Sequence, residues 1–168
     1  MKKSRVILIA HNIRSCYNVG SILRSADGLG VAHVYLAGYT PYPTTHDDSR
    51  LPHIAAKIDR QIHKTALGAQ ATVAWSHEIN TLKLIKRLKD QGTTVAALEQ
   101  TPQALDLADF RTAGDIALVV GNEIDGLEPD ILGATFPHLQ IAMEGRKESL
   151  NVSVAAAIGL YQLTRLKA

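Results

Sequence analysis

The sequence is poor in cysteine, in aromatic residues and in long apolar runs. Cys16 is the only cysteine among 168 residues, which excludes an internal disulfide and is typical of a reducing compartment. Residues 6–10 form an apolar run behind a basic N-terminus, but this run is too short for the core of a signal peptide. No stretch approaches the ~20 apolar residues of a membrane span. We therefore expect a cytoplasmic protein with no membrane segment.

Several common site motifs are missing too. The first predicted strand leads into HNIRSCYNVGS, where a dinucleotide-binding loop would have GxGxxG, and no phosphate-binding GxxxxGK loop occurs. The seven histidines include no HExxH pair, and no second cysteine is available, so we predict no metal site. Ser149 has no histidine and acid arranged around a nucleophile elbow, which argues against acyl transfer.

Charge is unevenly distributed, although the net charge is only +2. Residues 1–64 carry nine Lys or Arg against four acids, whereas residues 99–130 carry eight acids against Arg111 alone. The first third of the chain is therefore the candidate anion-facing surface, unless both regions are simply solvated faces. Residues 38–52 form the longest predicted loop, for which a substrate-facing lid is one interpretation.

The chain does contain a regular alternation of strand and helix patterns. Apolar, β-branched runs predict six strands, over residues 5–10, 31–37, 71–75, 93–99, 115–121 and 139–143. Helical spacing predicts a helix capped by Asn18, a basic helix over residues 54–66, and helices over 78–90, 127–134 and from Leu150 onward behind Ser149 as N-cap. The expected fold is α/β, a six-stranded and mainly parallel sheet with helices on both faces.

Three of the predicted strands end in glycine or acidic residues. Residues 93–97 lead into Leu98 and Glu99, residues 116–120 into GNE, and residues 139–142 into MEG. The carboxyl ends of parallel strands share one edge of a sheet, which is where open α/β folds bind ligands. The sequence therefore predicts a pocket at this edge, although turns alone also favour glycine.

Three motifs, in chain order, resemble those of a known family. They are NVGSILR at residues 18–24, VGNEIDG at residues 120–126, and IAMEG at residues 141–145 continuing to SLNVS at residues 149–153. Together they are similar to the motifs of the SPOUT RNA methyltransferases of the TrmH/SpoU type, which methylate ribose 2′-hydroxyls of tRNA and rRNA. The match spans nearly the whole chain and departs from the family pattern at Ala142, where proline is usual.

The resemblance implies a fold, a cofactor and partners. It implies a single domain over residues 1–168 with a C-terminal trefoil knot and no appended RNA-binding domain, working as a homodimer packed through the knot region. The implied partner is tRNA or rRNA, held by the basic first third and the 38–52 loop, with Arg146 and Lys147 as further candidates. The implied cofactor is S-adenosylmethionine, with contacts at Leu98, Gly121, Ile141, Met143 and Leu150.

The same resemblance implies a catalytic set, which is Asn18, Arg24, Glu123, Ser149 and Asn151. Arginine stays protonated in proteins, so we interpret Arg24 as an oxyanion stabiliser and phosphate anchor before a general base. Two roles stay open for Glu123, which can accept from the substrate or brace Arg24. Asn18 and Ser149 also suit ordinary helix caps, and Cys16 is interpreted as a packed thiol.

Two other function classes stay open. One is a catalytically silent, knotted RNA-binding protein. The other is a SPOUT enzyme that methylates a base, which is disfavoured because Asn18, Arg24 and the Ser149 and Asn151 pair match the ribose branch. Methyl transfer from S-adenosylmethionine to a 2′-oxygen of RNA discriminates between the three.

Overall fold

Strands and helices alternate along the chain, as the sequence patterns predict. A computed structural model describes residues 4–165, and within that range it has seven β-strands and five α-helices. The strands are β1 (Val6–His11), β2 (His33–Ala37), β3 (Trp75–Glu78), β4 (Thr94–Leu98), β5 (Leu105–Asp106), β6 (Ile116–Val120) and β7 (His138–Gln140). The helices are α1 (Cys16–Gly28), α2 (Pro52–Ala66), α3 (Thr81–Asp90), α4 (Pro129–Ala134) and α5 (Val152–Arg165).

These seven strands are all parallel and form one sheet in the order β3-β2-β1-β6-β4-β7-β5. The predicted α/β class is confirmed, but the predicted count of six strands is wrong. The additional strand, β5, has two residues, and its Leu105 pairs with Leu139 of β7 at the outer edge of the sheet. Two residues are too few for an alternating pattern to reveal.

The strand predicted over residues 71–75 is misplaced. Ala69–Ala71 form a 3-10 turn behind Gly68, and the strand is Trp75–Glu78 instead. This strand, β3, lies at the opposite edge of the sheet beside β2, and all four of its residues are half-buried. An edge strand with such even burial has no apolar alternation, so the sequence gives little sign of it.

Helices cover both faces of the sheet. One apolar core lies between the sheet and the layer formed by α1, α2 and α5, and a second lies between the sheet and α3 and α4. In β1, Leu8 belongs to the first core and Ile9 to the second, and both are fully buried. A strand covered on both faces is apolar at every position, which explains the run VILIA. Full burial of a valine, leucine or isoleucine side chain of this kind contributes about 1.5–3 kcal/mol to the free energy of folding.

Gly20 sets the distance between α1 and α2. A Cβ on Gly20 would lie 2.3 Å from the carbonyl oxygen of Ile62 and 2.9 Å from the amide nitrogen of Ala66. The two backbones therefore pack too closely for any side chain at this position. Beside this crossing, the Thr65 hydroxyl donates a 2.8 Å hydrogen bond to the carbonyl of Tyr17, so the C-terminal end of α2 lies against the start of α1.

Two helices begin at residues other than the predicted caps. Ser15, not Asn18, caps α1, because its Oγ accepts from the backbone N–H of Asn18 at 3.3 Å. Asn151, not Ser149, precedes α5, and its Oδ1 accepts from the backbone N–H of Ser153 at 2.9 Å. Both true caps are residue types that favour this position. The side chain of Asn18 is thereby left available for other contacts.

The loop between β2 and α2 is braced by Arg50. Its guanidinium stacks 3.6 Å above the Tyr42 ring, pairs with Asp48, and donates to the carbonyls of Tyr42 and Pro43. The hydrogen bond from Arg50 holds the pKa of the Asp48 carboxyl well below its usual range. The guanidinium of Arg50 therefore makes its contacts within the loop. The interpretation of this loop as a moving lid stays a prediction.

Candidate active site

The carboxyl ends of β4, β6 and β7 surround a cleft of about 220 Å³. It lies at the sheet edge where the sequence predicts a pocket. All five residues predicted to contact a cofactor line it, which are Leu98, Gly121, Ile141, Met143 and Leu150. Their role in holding a cofactor stays a prediction, although the fold has brought them together from four separate segments of the chain.

Gly121 lets the chain fold back on itself at the end of β6. A Cβ on Gly121 would lie 2.6 Å from backbone atoms of Gly126. Gly126 has a φ of +69°, and the backbones of Asn122 and Gly126 exchange two 3.1 Å hydrogen bonds. This turn therefore presents its backbone closely to the cleft, which a larger residue at either glycine would prevent.

Glu99 holds the same turn in place from the end of β4. Its Oε2 accepts from the backbone N–H of Leu127 at 3.0 Å, and its Oε1 accepts from that of Gln100 at 3.1 Å. Gln100 in turn donates to the carbonyl of Glu148 at 2.9 Å, which joins two walls of the cleft. The three residues Glu99, Gln100 and Glu148 line the cleft and were not predicted as site residues. Only the strand end at Leu98 and Glu99 signalled them in the sequence.

Asn18 connects three members of the predicted catalytic set. Its Nδ2 donates to Oε1 of Glu123 at 2.8 Å, and its Oδ1 accepts from Nδ2 of Asn151 at 3.1 Å. Glu123 lines the cleft, so this chain of hydrogen bonds joins α1 and the start of α5 to the cleft wall. Three polar residues far apart in sequence thus form one unit.

The carboxylate of Glu123 is held by three hydrogen bonds from this region. Besides Asn18, the backbone N–H of Arg14 donates to Oε2 at 3.0 Å and that of Ser15 to Oε1 at 3.3 Å. Partial burial raises the pKa of Glu123, but the hydrogen bonds from Asn18 and the backbone outweigh burial and lower the pKa below its ordinary value. Glu123 is therefore a carboxylate at neutral pH.

The two remaining predicted catalytic residues lie differently. Ser149 is exposed and lines the cleft. Arg24 is exposed on α1 and does not line the cleft, and within residues 4–165 it has neither a hydrogen bond nor an ion pair. Six residues of helix separate it from Asn18, which places it about 9 Å further along the axis. The fold therefore gathers four of the five predicted catalytic residues, and Arg24 stands apart.

A second polar cluster fixes the end of β1 beside this site. The buried His11 shares a 2.7 Å hydrogen bond with Oε2 of Glu128, and Asn12 donates to its Oε1 at 2.9 Å. Partial burial raises the pKa of Glu128, but these hydrogen bonds and that of its own backbone lower it below the ordinary value. The loop after β6 is thus tied to the end of β1.

Cys16 does not have the surroundings of a nucleophile. It packs against the first core, and burial raises the pKa of its thiol above the ordinary value. This agrees with its interpretation as a packed residue. Across the described residues, no group of three or more His, Cys, Asp or Glu side chains is placed to hold a metal ion.

Comparison with known proteins decides the family. The model of the SpoU rRNA Methylase family matches residues 5–161. The chain belongs to this SpoU family. Membership confirms the resemblance that the three sequence motifs indicated. Among curated relatives, a tRNA (guanosine(18)-2′-O)-methyltransferase of Aquifex aeolicus is 26% identical over 164 residues, covering 98% of this chain and 71% of the relative.

Solved structures share the fold of this chain. An rRNA methyltransferase of Sinorhizobium meliloti with bound AdoMet superposes with a TM-score of 0.80 at 21% identity, covering 98% of this chain and 57% of that one. A structure concerned with 2-OH methylation of C/U34 on tRNA has a TM-score of 0.74 at 22% identity, covering 97% and 96%. This SpoU chain thus spans between 57% and 96% of the length of these three proteins. In residues 4–165, no helix is long and apolar enough to cross a membrane.

Proposed function

We propose that this SpoU protein transfers a methyl group from S-adenosylmethionine to a ribose 2′-hydroxyl of tRNA or rRNA. The observation that carries the proposal is the unit of Asn18, Glu123 and Asn151 at the wall of a cleft built by Gly121 and Gly126. Family membership supports the reaction class. The sequence-based expectations for cofactor, activity and substrate all follow from the same motifs.

The cleft suits S-adenosylmethionine by the chemistry of its lining. Leu98, Ile141 and Leu150 offer apolar surface for an adenine ring, and the turn at Gly121 offers backbone groups at close range. When bound, the cofactor supplies an electrophilic methyl group, whose carbon is attached to a sulfonium sulfur. The residues of this chain bind it, shape the cleft and position the ribose.

Glu123 orients the ribose hydroxyl. An ionised carboxylate has about four acceptor positions, and three of those on Glu123 receive hydrogen bonds within the chain. The O–H of the substrate would donate to Oε2, which receives one of these three bonds, whereas Oε1 receives two. The lowered pKa makes Glu123 a weak base, so it directs the hydroxyl oxygen towards the methyl group and does not carry away the proton. Of the two open roles we favour substrate acceptor, because Glu123 makes no hydrogen bond or ion pair with Arg24 among residues 4–165.

We place Arg24 across a dimer interface. Val154, Ile158 and Tyr161 form an exposed apolar stripe at helical spacing on α5, and α1 packs beside that helix. A second copy packed on this stripe would bring its own α1, with the unpaired Arg24, towards the cleft. There the guanidinium stabilises negative charge on the ribose oxygen as the hydroxyl proton passes to water. The C-terminal trefoil knot is part of the same proposal.

The basic helix α2 is the proposed surface for the RNA backbone. Lys57, Arg60 and Lys64 recur at a spacing of three and four, are exposed and make no ion pair within the described residues. Cations that bind phosphate need to be free of internal partners, unlike Arg5, which pairs with Asp115. The exposed Arg146 and Lys147 lie on the loop that forms a cleft wall and extend this surface. Lys2 and Lys3, part of the basic first third, lie outside the described residues.

Radiolabelled S-adenosylmethionine tests the function. The protein is incubated with total RNA from a strain that lacks it, and the RNA is digested to nucleosides and separated by chromatography. We expect label in a 2′-O-methylated nucleoside of one tRNA or rRNA fraction. Label on a base would support the base-methylating alternative. RNA binding without any transfer would support the silent RNA-binding alternative, and either result overturns the proposal.

A further inference from the structure

Tyr39 is an exposed aromatic side chain beside the candidate active site. It follows β2 at the same carboxyl edge of the sheet that carries the cleft, and 60% of its surface is exposed. In the strand order β2, β1, β6, two spacings of about 4.8 Å separate β2 from β6. The hydroxyl of Tyr39 nevertheless reaches Asn122 after β6, so the ring extends across the end of β1.

Both ends of Tyr39 are anchored. Its backbone N–H donates to Oδ1 of Asn12 at 3.1 Å, and its hydroxyl accepts a short hydrogen bond from Nδ2 of Asn122. Asn12 is itself fixed, because its Nδ2 donates to Glu128 and its backbone has a φ of +54°. The turn at Gly38 is equally tight, since a Cβ there would lie 2.0 Å from Oδ1 of Asn12.

Asn122 is buried, and its side-chain amide is fixed by further hydrogen bonds besides the one to Tyr39. Its second amide hydrogen goes to the carbonyl of Asn12 at 3.2 Å, and its Oδ1 accepts from the backbone N–H of Ile124 at 2.8 Å. The ring of Tyr39 is therefore held rigidly while its surface faces solvent. Rigid exposed aromatic rings that cost no ordering on binding are well suited to stack on nucleobases.

We propose that Tyr39 is a stacking platform for a nucleobase of the bound RNA, next to the ribose that occupies the site at Glu123. This rests on the proposed function and adds a base-binding subsite to it. Asn122, which holds the tyrosine hydroxyl, is followed directly by Glu123, so base and ribose subsites share one rigid turn. The hydroxyl proton of Tyr39, which the hydrogen bond from Asn122 leaves free, is available to an acceptor on the same nucleotide.

The test compares Tyr39→Phe, Tyr39→Leu and Tyr39→Ala in methyl transfer to total RNA from the deletion strain. Base–aromatic stacking is sequence-tolerant and corresponds to about 5- to 150-fold in affinity per base. We expect the leucine and alanine variants to raise the KM for RNA by such a factor while the KM for S-adenosylmethionine stays within about twofold. The phenylalanine variant keeps the ring but loses the hydroxyl bonded to Asn122, so it should raise the KM for RNA by less than the leucine and alanine variants do.

Phe136 provides the matched control. It is also an exposed aromatic residue, but it precedes β7 and so lies at the amino ends of the strands, away from the cleft at their carboxyl ends. Phe136→Ala should leave the KM for RNA unchanged. Ultraviolet cross-linking of the same RNA to the unaltered protein, read by mass spectrometry, adds a readout that a purely structural role would not move. We expect a nucleotide adduct on Tyr39.

The possible failures are distinguishable. A normal KM for RNA in the leucine variant, in a protein that transfers methyl, overturns the stacking subsite and leaves the proposed function standing. A cross-link on Tyr39 without any methyl transfer supports the subsite and overturns the proposed function. Should Tyr39→Leu unfold at assay temperature by circular dichroism, absence of the adduct from the unaltered protein is the overturning result.

Discussion

The side-chain amide of Asn18 donates a 2.8 Å hydrogen bond to the carboxylate of Glu123, across 105 residues of sequence. Ser15 makes this contact available, because it caps α1 in place of Asn18 and leaves the asparagine amide free. Asn151 closes the arrangement by donating to the other side of the same amide group. Three segments are thus coupled through one side chain at the cleft wall.

Asn18→Asp is the sharpest single test of this unit. The substitution keeps the size of the side chain but replaces the donor with a second carboxylate beside Glu123. Since a hydrogen bond to a charged group contributes ~1.5–3 kcal/mol, we expect kcat to fall at least about tenfold. Calorimetry should show nearly unchanged affinity for S-adenosylmethionine. Full activity in this variant would show that the Asn18 to Glu123 contact has no part in the reaction.

Glu123→Gln should lower stability in a pH-dependent way. The folded-state pKa of Glu123 lies below its ordinary value of 4.5, so its stabilising contribution is present above that pH and is lost as pH falls through the lower folded-state pKa. We expect the glutamine variant to have a lower Tm at pH 7, with a difference that shrinks as pH falls below 4.5. The exposed Glu144→Gln is the control for the loss of a surface carboxylate. A constant difference from pH 7 to pH 3 would contradict the prediction.

Arg24→Ala should abolish transfer while cofactor affinity is retained. Removal of a group that stabilises a developing oxyanion costs about 10²- to 10³-fold in kcat. Because Arg24 stands outside the cleft of its own chain, we further expect complementation in mixed dimers of Arg24→Ala with Glu123→Ala. A random mixture should recover about a quarter of the activity, since half of the dimers are mixed and each has one intact site.

The dimer itself is tested by Ile158→Arg, which places a charge in the apolar stripe of α5. Sedimentation should show a monomer for this variant and a dimer for the unaltered chain. If mixed Arg24→Ala and Glu123→Ala dimers stay inactive, Arg24 acts within its own chain or not at all.

Gly20→Ala should destabilise the fold although it adds only one methyl group. The new Cβ would lie 2.3 Å from the Ile62 carbonyl oxygen, so α1 and α2 must separate, and overpacking of this kind costs about 1–3 kcal/mol or more. Gly28→Ala is the matched control on the same helix, because nothing lies within 4 Å of a Cβ there. Chemical denaturation should show a lower midpoint for Gly20→Ala alone. Equal midpoints would show that the helices shift without cost.

Replacement of Lys57, Arg60 and Lys64 by alanine should weaken RNA binding uniformly across sequences. Each phosphate contact contributes about 0.7–0.9 to the slope of log affinity against log salt concentration, so we expect a shallower slope in a filter-binding titration. The control replaces Lys83, Lys86 and Lys89 on α3, which removes the same charge from the opposite face of the sheet. An equal loss in both triple variants would indicate general electrostatics and not a surface on α2.

Sequence patterns located most elements to within a few residues but failed at weak or short ones. Buried strands such as β1 are apolar at every position, so composition alone reveals them. The edge strands β3 and β5 carry no such pattern, and one was misplaced and the other missed. The caps failed for a different reason, because Ser15 and Asn18 are both good cap residues and only the path of the backbone selects between them.

The sequence by itself determined the α/β alternation, the order of the three motifs and hence the SpoU family, and the sheet edge that holds the cleft. These depend on local periodicity and on residue types at the ends of strands, which are written along the chain. Only the tertiary structure decided that Asn18 meets Glu123 and Asn151, that Tyr39 reaches Asn122, and that Arg24 stands apart. Such contacts join residues more than 80 positions apart, and they depend on strand order and helix packing, which no local pattern specifies.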